Sequence, residues 1–385
     1  MANLVYLMIY REGNGLARNS HLKLGQRKIK TPLLFFGQLV NGIPNPWEFF
    51  DVDGILLNSY HILQKPNVYN QMKDSKNLNS FLKINHKTSI MLDSGGFLFQ
   101  KRNEMNVNCR EILNLYHNLN PDLGVVLDHP FSPELSIHEN QIKRWTKTIK
   151  NTDIMLNECN GNVIIPVIHG YTDNQIKGNW KEVNKILEET NIANKKKLVI
   201  GIGSLVPLIM TSNGAKKGKE KIVDLILRLR SLVPNAHIHV FGIGGATTAM
   251  IMFYLGIDSL DSVGWRLKAA KGAIQLPGVS DRFVNPPSNR TKLSESDEDI
   301  LDECDCPICK NHDLEKKKGN FDTKISRNFI NRAIHNAWVY QEEIKECRKA
   351  IKNCIFEEFI EKRLKKSGLK NMFEYAKKVV GESVD

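Results

Sequence analysis

The chain has 385 residues, enough to bury a large core as one big domain with an appendage or as two ordinary domains. Its 41% hydrophobic and 25% charged residues are typical of a water-soluble globular protein. No apolar run is long enough to span a bilayer, and residues 1–10 lack the basic start and small-residue cleavage site of a secretory signal. These features argue against a membrane anchor and against secretion.

The formal net charge is +12, and the basic residues form four clusters, at residues 195–197, 216–221, 316–318 and 362–366. A single cluster of this kind is usually a solvated face. Four clusters on one basic chain favour a polyanionic partner, of which nucleic acid is the commonest.

Seven cysteines are present, and three of them crowd together at Cys304, Cys306 and Cys309. An odd number with four scattered members is not a disulfide framework. The pattern indicates a reducing cytoplasm and a single metal site.

Eight short apolar segments end in polar residues and are typical of buried parallel strands. They cover residues 31–36, 53–61, 89–92, 123–127, 163–168, 198–202, 238–241 and 257–260. Between most of them lie amphipathic stretches of helical length, such as residues 222–232. Eight units spaced by roughly 20 to 40 residues fit a TIM (β/α)₈ barrel better than an open doubly wound sheet. No G-x-G-x-x-G follows the first strand, so the main signature of a dinucleotide fold is missing.

The polar strand ends carry the candidate chemistry. Asp93 follows the third strand and is itself followed by Ser94 and two glycines, which allow the backbone to approach a ligand closely. A polar turn with Asp93 capping the next helix is the alternative. Comparable groups follow five other strands: Asp128, His169, Gly203, Gly242 and Asp261. In a barrel all of these groups converge on one mouth.

The composition changes after residue 278, where a linker at residues 285–289 precedes an acidic, turn-like stretch at residues 293–303. Cys304, Cys306 and Cys309 follow, and a helix from about Ser326 carries His335. This spacing predicts a tetrahedral zinc site that is closed and therefore structural, with free thiols as the alternative.

Residues 351–380 read as a pair of basic amphipathic helices, of which residues 376–380 complete the barrel wall. We therefore expect three parts. They are a catalytic barrel at residues 1–285, an inserted zinc-binding subdomain at 286–345 and C-terminal helices at 346–385.

Taken in order, the segments NSYHI (residues 58–62) and DSGGF (93–97), the glycine turn at 242–245, Asp261 and the cysteine cluster with His335 resemble one known family. It is the tRNA-guanine transglycosylase superfamily, zinc-containing barrels that exchange a guanine in a polynucleotide for a 7-deazaguanine. The resemblance covers about residues 30–340.

The resemblance implies a role for each matching residue. Asp261 would be the nucleophile that forms a covalent glycosyl-enzyme intermediate, and Asp93 the general acid and base. Asp128 would read the adjacent N1–H and 2-amino donors of guanine. The remaining base-pocket residues would be Ser94, Phe97, His169, Gly203, Phe241 and Gly242, with the two phenylalanines stacking on an everted base.

Two departures from the family pattern matter. His169 stands where the family commonly has glutamine, and a histidine can still donate to guanine O6 or N7. Residues 264–272 and 276–278 are similar to the DNA-modifying branch, whereas the turn at 202–207 looks archaeal. DNA is therefore favoured over tRNA, 7-cyano-7-deazaguanine is a candidate incoming base, and Arg266, Lys268 and Lys271 are expected on phosphates.

Other interpretations remain open. The chain could be an inactive nucleic-acid-binding subunit, or a hydrolase that uses the same two carboxylates with water as acceptor. Individually, Asp128 could sit in an ordinary turn, Asp261 could cap a helix, and Phe97 and Phe241 could be core residues. Little chain remains after His335 for a further RNA-binding domain, and a homodimer through the zinc subdomain is expected from the family.

Overall fold

The computed structural model describes residues 12–24, 27–100, 107–131, 138–190, 198–210, 215–279, 281–287, 290–310, 325, 328–365 and 367–382. The basic clusters predicted at residues 195–197 and 316–318 lie outside these described residues, as do residues 288 and 289 of the predicted linker.

The described strands make a barrel and one hairpin. They are β1 (Ser20–Leu24), β2 (Arg27–Thr31), β3 (Leu33–Gln38), β4 (Gly54–Asn58), β5 (Ser89–Asp93), β6 (Leu123–Val125), β7 (Ile164–Ile165), β8 (Val167–Ile168), β9 (Val199–Ile202), β10 (His237–Val240) and β11 (Ser259–Ser262). Strands β3 to β11 form one sheet in the order β7-β6-β5-β4-β3-β11-β10-β9-β8, and every pair in it is parallel.

The sheet closes on itself at Pro166. The sequence predicts one strand over residues 163–168, and Pro166 divides it because proline has no N–H to donate. Its carbonyl still accepts the Gly201 N–H at 2.9 Å. Strand β7 pairs with β6 and β8 pairs with β9, so the two short strands join the ends of a nearly closed barrel. All eight predicted strands are thus present, and the α/β barrel fold is confirmed.

The second predicted strand is too long. Strand β4 ends at Asn58, and residues 59–61, which the sequence assigned to the strand, begin a helix instead. The Asn58 side chain accepts the His61 N–H at 3.0 Å, which satisfies one of the free amides of the helix start.

The hairpin of β1 and β2 was not predicted from the sequence. Its buried positions alternate with exposed lysines, the pattern of a sheet with one covered face. Leu22, Leu24 and Ile29 pack with Leu33 and Met91 of the barrel interior. The hairpin therefore fills the amino-terminal end of the barrel.

Helices surround the barrel. They are α1 (Ser59–Leu63), α2 (Pro66–Asp74), α3 (Leu78–Leu82), α4 (Cys109–Leu119), α5 (His138–Asn157), α6 (Asp173–Glu189), α7 (Val206–Met210), α8 (Ala215–Leu232), α9 (Ala246–Tyr254), α10 (Gly264–Ala270), α11 (Glu295–Asp302), α12 (Pro307–Lys310), α13 (Phe329–Lys352), α14 (Phe356–Leu364) and α15 (Lys370–Glu382). Short 3₁₀ turns cover Pro46–Glu48 and Gly96–Gln100. None of the helices in the described ranges is both long and apolar enough to cross a bilayer.

The C-terminal region differs in detail from its prediction. The acidic stretch that was expected to be turn-like contains α11, which begins with a capping box between Ser294 and Asp297. Residue 351 belongs to the end of α13, and the predicted helix pair is α14 and α15. Ala376 and Val380 are buried in the main core, as expected for a helix in the barrel wall. The three-part division stays a prediction. Its boundary between residues 345 and 346 lies inside α13, which runs unbroken from residue 329 to residue 352.

Candidate active site and metal centre

Three carboxylates gather at the carboxyl ends of the barrel strands. Asp93 is the last residue of β5, Asp261 lies on β11, and Asp128 follows β6 by three residues. The charges of Asp128 and Asp261 both raise the pKa of Asp93, so all three groups act on one another across the mouth. This convergence is what the sequence predicts for a barrel.

Asp93 is set up to hold a proton. Its Oδ2 accepts the Gly95 N–H at 3.2 Å and an amide proton of Asn58 at 3.3 Å. Burial, then the charges of Asp128 and Asp261, raise the pKa of Asp93 to about 8, while the two hydrogen bonds oppose that rise. The carboxyl is therefore protonated at neutral pH and can act as an acid.

Asp261 is held by one of its two oxygens. Its Oδ1 accepts the Gly242 N–H at 2.8 Å and lies 3.3 Å from His239 Nε2. Its Oδ2 accepts no hydrogen bond from the described part of the chain. Gly244 allows this arrangement, because a Cβ there would collide with the Asp261 carbonyl. One oxygen is thus held by two groups, and the other is unengaged within the described part of the chain.

Asp128 and His169 form a second polar group. Asp128 Oδ2 lies 3.1 Å from His169 Nε2, and both side chains are largely buried. His169 Nδ1 is 3.0 Å from the Ser204 hydroxyl, which also accepts the Phe131 N–H at 3.1 Å. Since Gly96 has no Cβ, the Asp128 carboxylate can approach the DSGG turn closely. His169 Nδ1 is engaged by the Ser204 hydroxyl, whereas Nε2, although 3.1 Å from Asp128 Oδ2, makes no hydrogen bond within the described part of the chain. Direct base contact by His169 stays a prediction.

The remaining predicted pocket residues differ in their availability. Ser94 is fully buried, and its hydroxyl has no hydrogen-bond partner among the described residues. Burying a hydroxyl without a hydrogen-bond partner costs free energy. An unpaired buried hydroxyl is therefore typical of a site that a ligand completes. Phe97 is 55% exposed, and the ring of the partly buried Phe241 lies 4.5 Å from that of His239.

Two glycine amides have partners inside the protein. The Gly203 N–H donates to the Ile168 carbonyl at 3.0 Å, and the Gly242 N–H is the one that holds Asp261. In this structure the Gly203 amide bonds to a strand carbonyl and the Gly242 amide bonds to the Asp261 carboxylate. Their roles in binding the base stay predictions. A Cβ on Gly203 would press against the His169 ring, so the glycine is needed for that packing.

The three predicted phosphate contacts lie on or next to α10, directly after Asp261. Lys271 is exposed, and Arg266 Nε donates to the Ile43 carbonyl at 3.2 Å. Lys268 is paired internally: its Nζ lies 2.8 Å from Asp281 Oδ1 and 3.1 Å from Gln275 Oε1. Phosphate binding by these residues stays a prediction, and it fits Lys271 and Arg266 better than Lys268.

Cys304, Cys306, Cys309 and His335 form a cluster that could bind a metal such as zinc. Their donor atoms all lie within 4.8 Å of one another. His335 Nδ1 is 3.7, 3.5 and 3.6 Å from the three sulfurs, close to the roughly 3.6 Å separation of ligands on a tetrahedral zinc ion. His335 Nε2 donates to the Gln275 carbonyl at 2.9 Å, which leaves Nδ1 as the ligand atom. The donor set therefore fits the metal that the spacing predicts.

Sequence reasoning missed the residues that hold the carboxylates. Asn58 lay inside a quoted motif without a role, and His239 and Ser204 were not singled out. A signal existed for His239: it lies two residues before Phe241 in the predicted strand at residues 238–241, a spacing that puts both side chains on the same face. The pairing of β10 with β11, which brings His239 beside Asp261, is not readable from a single strand.

Comparison with known proteins supports the resemblance. The tRNA-guanine(15) transglycosylase of Korarchaeum cryptofilum is 25% identical over 361 residues, covering 92% of this chain and 55% of that protein. The protein of the same name from Pyrococcus furiosus is 25% identical over 353 residues, covering 89% and 53%. The protein of the same name from Archaeoglobus fulgidus is 25% identical over 323 residues, covering 82% of this chain and 59% of that protein. The chain spans about half the length of the curated relatives it matches.

A family model described as queuine tRNA-ribosyltransferase matches residues 13–368, nearly the whole chain. The match includes the three carboxylates of the mouth and the cysteine and histidine cluster. The protein therefore belongs to the queuine tRNA-ribosyltransferase family, within the tRNA-guanine transglycosylase superfamily.

Proposed function

We propose that the protein is a guanine transglycosylase that exchanges a guanine of tRNA for a 7-deazaguanine. The observation that carries the proposal is the convergence of Asp93, Asp128 and Asp261 in one barrel mouth. Family membership supports the reaction class, and the curated relatives carry the name of a tRNA enzyme. The preference for DNA that residues 264–278 suggested has no support in these comparisons, so tRNA becomes the favoured polymer.

The proposed reaction has two displacement steps at the sugar. In the first, Asp261 Oδ2 attacks C1′ of the target nucleotide, the bond from C1′ to guanine N9 breaks, and Asp93 gives its proton to the departing base. In the second, Asp93 takes a proton from the incoming base, whose N9 bonds to C1′ and displaces Asp261. After the second step Asp93 carries a proton again, Asp261 is free, and C1′ is bonded to the new base. No other reactant is needed.

Recognition of guanine is assigned to Asp128. One carboxylate can accept from both N1–H and the 2-amino group of guanine, and adenine cannot offer that pair of donors. His169 Nε2 lies 3.1 Å from this carboxylate, and the missing Cβ of Gly96 leaves room for it beside the DSGG turn. The unpaired Ser94 hydroxyl adds a hydrogen-bonding group, and Phe97 and Phe241 provide apolar faces for the base.

A structural zinc ion is assigned to Cys304, Cys306, Cys309 and His335. Four protein donors leave no open position on a tetrahedral ion, so it would hold the chain together and take no part in base exchange. A cytoplasmic location and a homodimer through this region remain predictions from the sequence and the family.

The decisive experiment offers labelled 7-cyano-7-deazaguanine or labelled guanine to the protein with either tRNA or duplex DNA. We expect label in tRNA, and none with Asp261→Asn. Label in DNA instead would restore the sequence-based preference, and an abasic site without label would identify a hydrolase. Full exchange by a folded Asp261→Asn protein would contradict the nucleophile assignment. No turnover by the unmodified chain with either polymer and either base would favour the nucleic-acid-binding subunit.

A further inference from the structure

A chain of polar side chains runs through the barrel interior and ends on Asp261. His237 Nε2 lies 2.7 Å from the Ser259 hydroxyl, and the same hydroxyl lies 2.9 Å from His239 Nδ1. His239 Nε2 then lies 3.3 Å from Asp261 Oδ1. Two residues of β10 and two of β11 thus alternate in space, because the strands pair with His239 opposite Ser259.

The surroundings of this chain are apolar. The His239 ring is completely buried, with the Phe35 ring 5.7 Å away and the Phe241 ring 4.5 Å away. An apolar residue could fill this position without the cost of burying polar atoms. Polar groups in such a place are tolerated only when they are satisfied, and a satisfied network fixes one arrangement of its members.

The direction of the hydrogen bonds follows from their partners. The Asp261 carboxylate can only accept, so His239 Nε2 carries a proton and donates to Oδ1. In a neutral ring Nδ1 then accepts, and the Ser259 hydroxyl donates to it while accepting from His237 Nε2. Burial lowers the pKa of His237 to about 4, against the opposing charge of Asp258, so His237 is neutral at physiological pH.

We propose that His239 is a positioning residue for the nucleophile: it fixes Asp261 by Oδ1, with Ser259 and His237 setting its tautomer, so that Oδ2 is the attacking oxygen. This inference rests on the proposed role of Asp261 as nucleophile. The Gly242 N–H donates to the same Oδ1 at 2.8 Å, so a side-chain donor in β10 and a backbone donor in the turn that follows it restrain one oxygen. A carboxylate held in this way cannot rotate without losing both bonds.

The matched variants are His239→Gln and His239→Asn. The amide nitrogen of glutamine can reach the position of Nε2 and still donate to Asp261, whereas that of asparagine reaches only the position of Nδ1. We expect the asparagine variant to lose about 10- to 100-fold in kcat with KM for tRNA within about twofold, because misplacement of a reacting atom by about 1 Å costs this much. The glutamine variant should recover most of that loss.

The measurements are steady-state exchange of labelled guanine and a single-turnover assay of covalent polynucleotide on the protein. Thermal unfolding of each variant separates a folding defect from a positioning defect. His117→Gln, which replaces a histidine on the outer helix α4, is the control for histidine loss away from the mouth. Ser259→Ala should give a smaller loss in kcat than His239→Asn, since the Nε2 donor remains.

The outcomes separate this inference from the proposed function. If Asp261→Asn abolishes exchange while His239→Asn keeps the unmodified kcat, the positioning role is wrong and the nucleophile stands. Equal losses in the glutamine and asparagine variants, accompanied by equal falls in unfolding temperature, also overturn it. If Asp261→Asn itself retains full exchange, the proposed function fails, independently of any result at His239.

Discussion

The Asp93 carboxyl lies within the electrostatic field of two further carboxylates, and that field decides its chemistry. An isolated aspartate would be ionised at pH 7 and could not give a proton to a departing base. Burial and the charges of Asp128 and Asp261 raise its pKa to about 8. Burial, with the two neighbouring charges, therefore favours the protonated form of Asp93 at neutral pH.

A pH dependence follows from this raised pKa. If Asp93 is the acid as proposed, guanine release in a single turnover needs its protonated form, so the rate should be level below pH 8 and fall about tenfold per pH unit above it. The measurement is the release of labelled guanine from prelabelled tRNA between pH 6 and pH 10. The Asp93→Asn variant, which has no titrating group there, should be slow and level. A level profile in the unmodified protein would contradict the assignment of Asp93 as the acid.

The convergence of the three carboxylates could be predicted from the sequence because each follows an apolar segment, at a place where strand ends meet. The groups that orient them could not. Asn58 reaches Asp93 from the neighbouring strand β4, and His239 reaches Asp261 from β10. Such contacts depend on which strands are neighbours and on their register, and neither can be deduced from the sequence of one segment alone.

Strand β11 owes its position to a buried ion network at its start. Asp258 accepts from Arg230 at 2.7 Å, from Arg18 at 2.8 Å and from the Ile238 N–H at 2.9 Å. Burial alone would raise the pKa of Asp258, but the charge of Arg230 and the hydrogen bonds from Arg18 hold it at about 2. The network joins the N-terminal segment, α8 and β10 to the strand that carries Asp261.

Replacing Asp258 with asparagine should lower the free energy of unfolding by about 3 kcal/mol, since two guanidinium groups lose a buried partner. Because the folded pKa is depressed, this contribution is present above about pH 4 and is lost as the pH falls towards 2. Urea unfolding at several pH values measures it. Asp53→Asn, which breaks a more exposed pair with Arg348, should cost less. A larger loss for Asp53→Asn would show that this network is not what holds β11.

Element boundaries show where sequence patterns stop being informative. The eight barrel strands were predictable because each is a short, almost continuously apolar run. The end of β4 was not, because the polar residues 59–61 resemble the polar end of a strand and only the Asn58 cap marks the start of α1. The hairpin was missed because its few apolar residues are separated by lysines of the exposed face.

On the scale of the whole molecule, helix α13 connects the metal cluster to the barrel mouth. His335 belongs to the cluster, and the next residue, Asn336, donates to the Ala273 carbonyl at 3.0 Å and accepts the Gln275 N–H at 2.9 Å. Its amide also reaches the Trp265 carbonyl in α10, the helix that follows Asp261. Damage at the cluster should therefore be transmitted to the mouth.

Removal of the metal tests this connection. The purified protein should contain about one zinc ion per chain, and chelation or Cys306→Ser should lower the unfolding temperature by roughly 5 to 10 °C. Base exchange should fall in parallel. Asp261→Asn is the matched contrast, since it should abolish exchange and leave the unfolding temperature nearly unchanged. Metal-free protein with full stability would contradict a structural role for the cluster.

The hairpin of β1 and β2 has a consequence for the order of events. Leu22, Leu24 and Ile29 fill the amino-terminal end of the barrel, so in the described part of the chain the carboxyl end is the side left for a base to reach Asp261. Under the proposed mechanism, the polynucleotide stays bound to Asp261 while guanine leaves and its replacement arrives, and both bases would use that one end. The outgoing guanine would then leave before the incoming base binds, so we expect ping-pong kinetics with respect to the two bases.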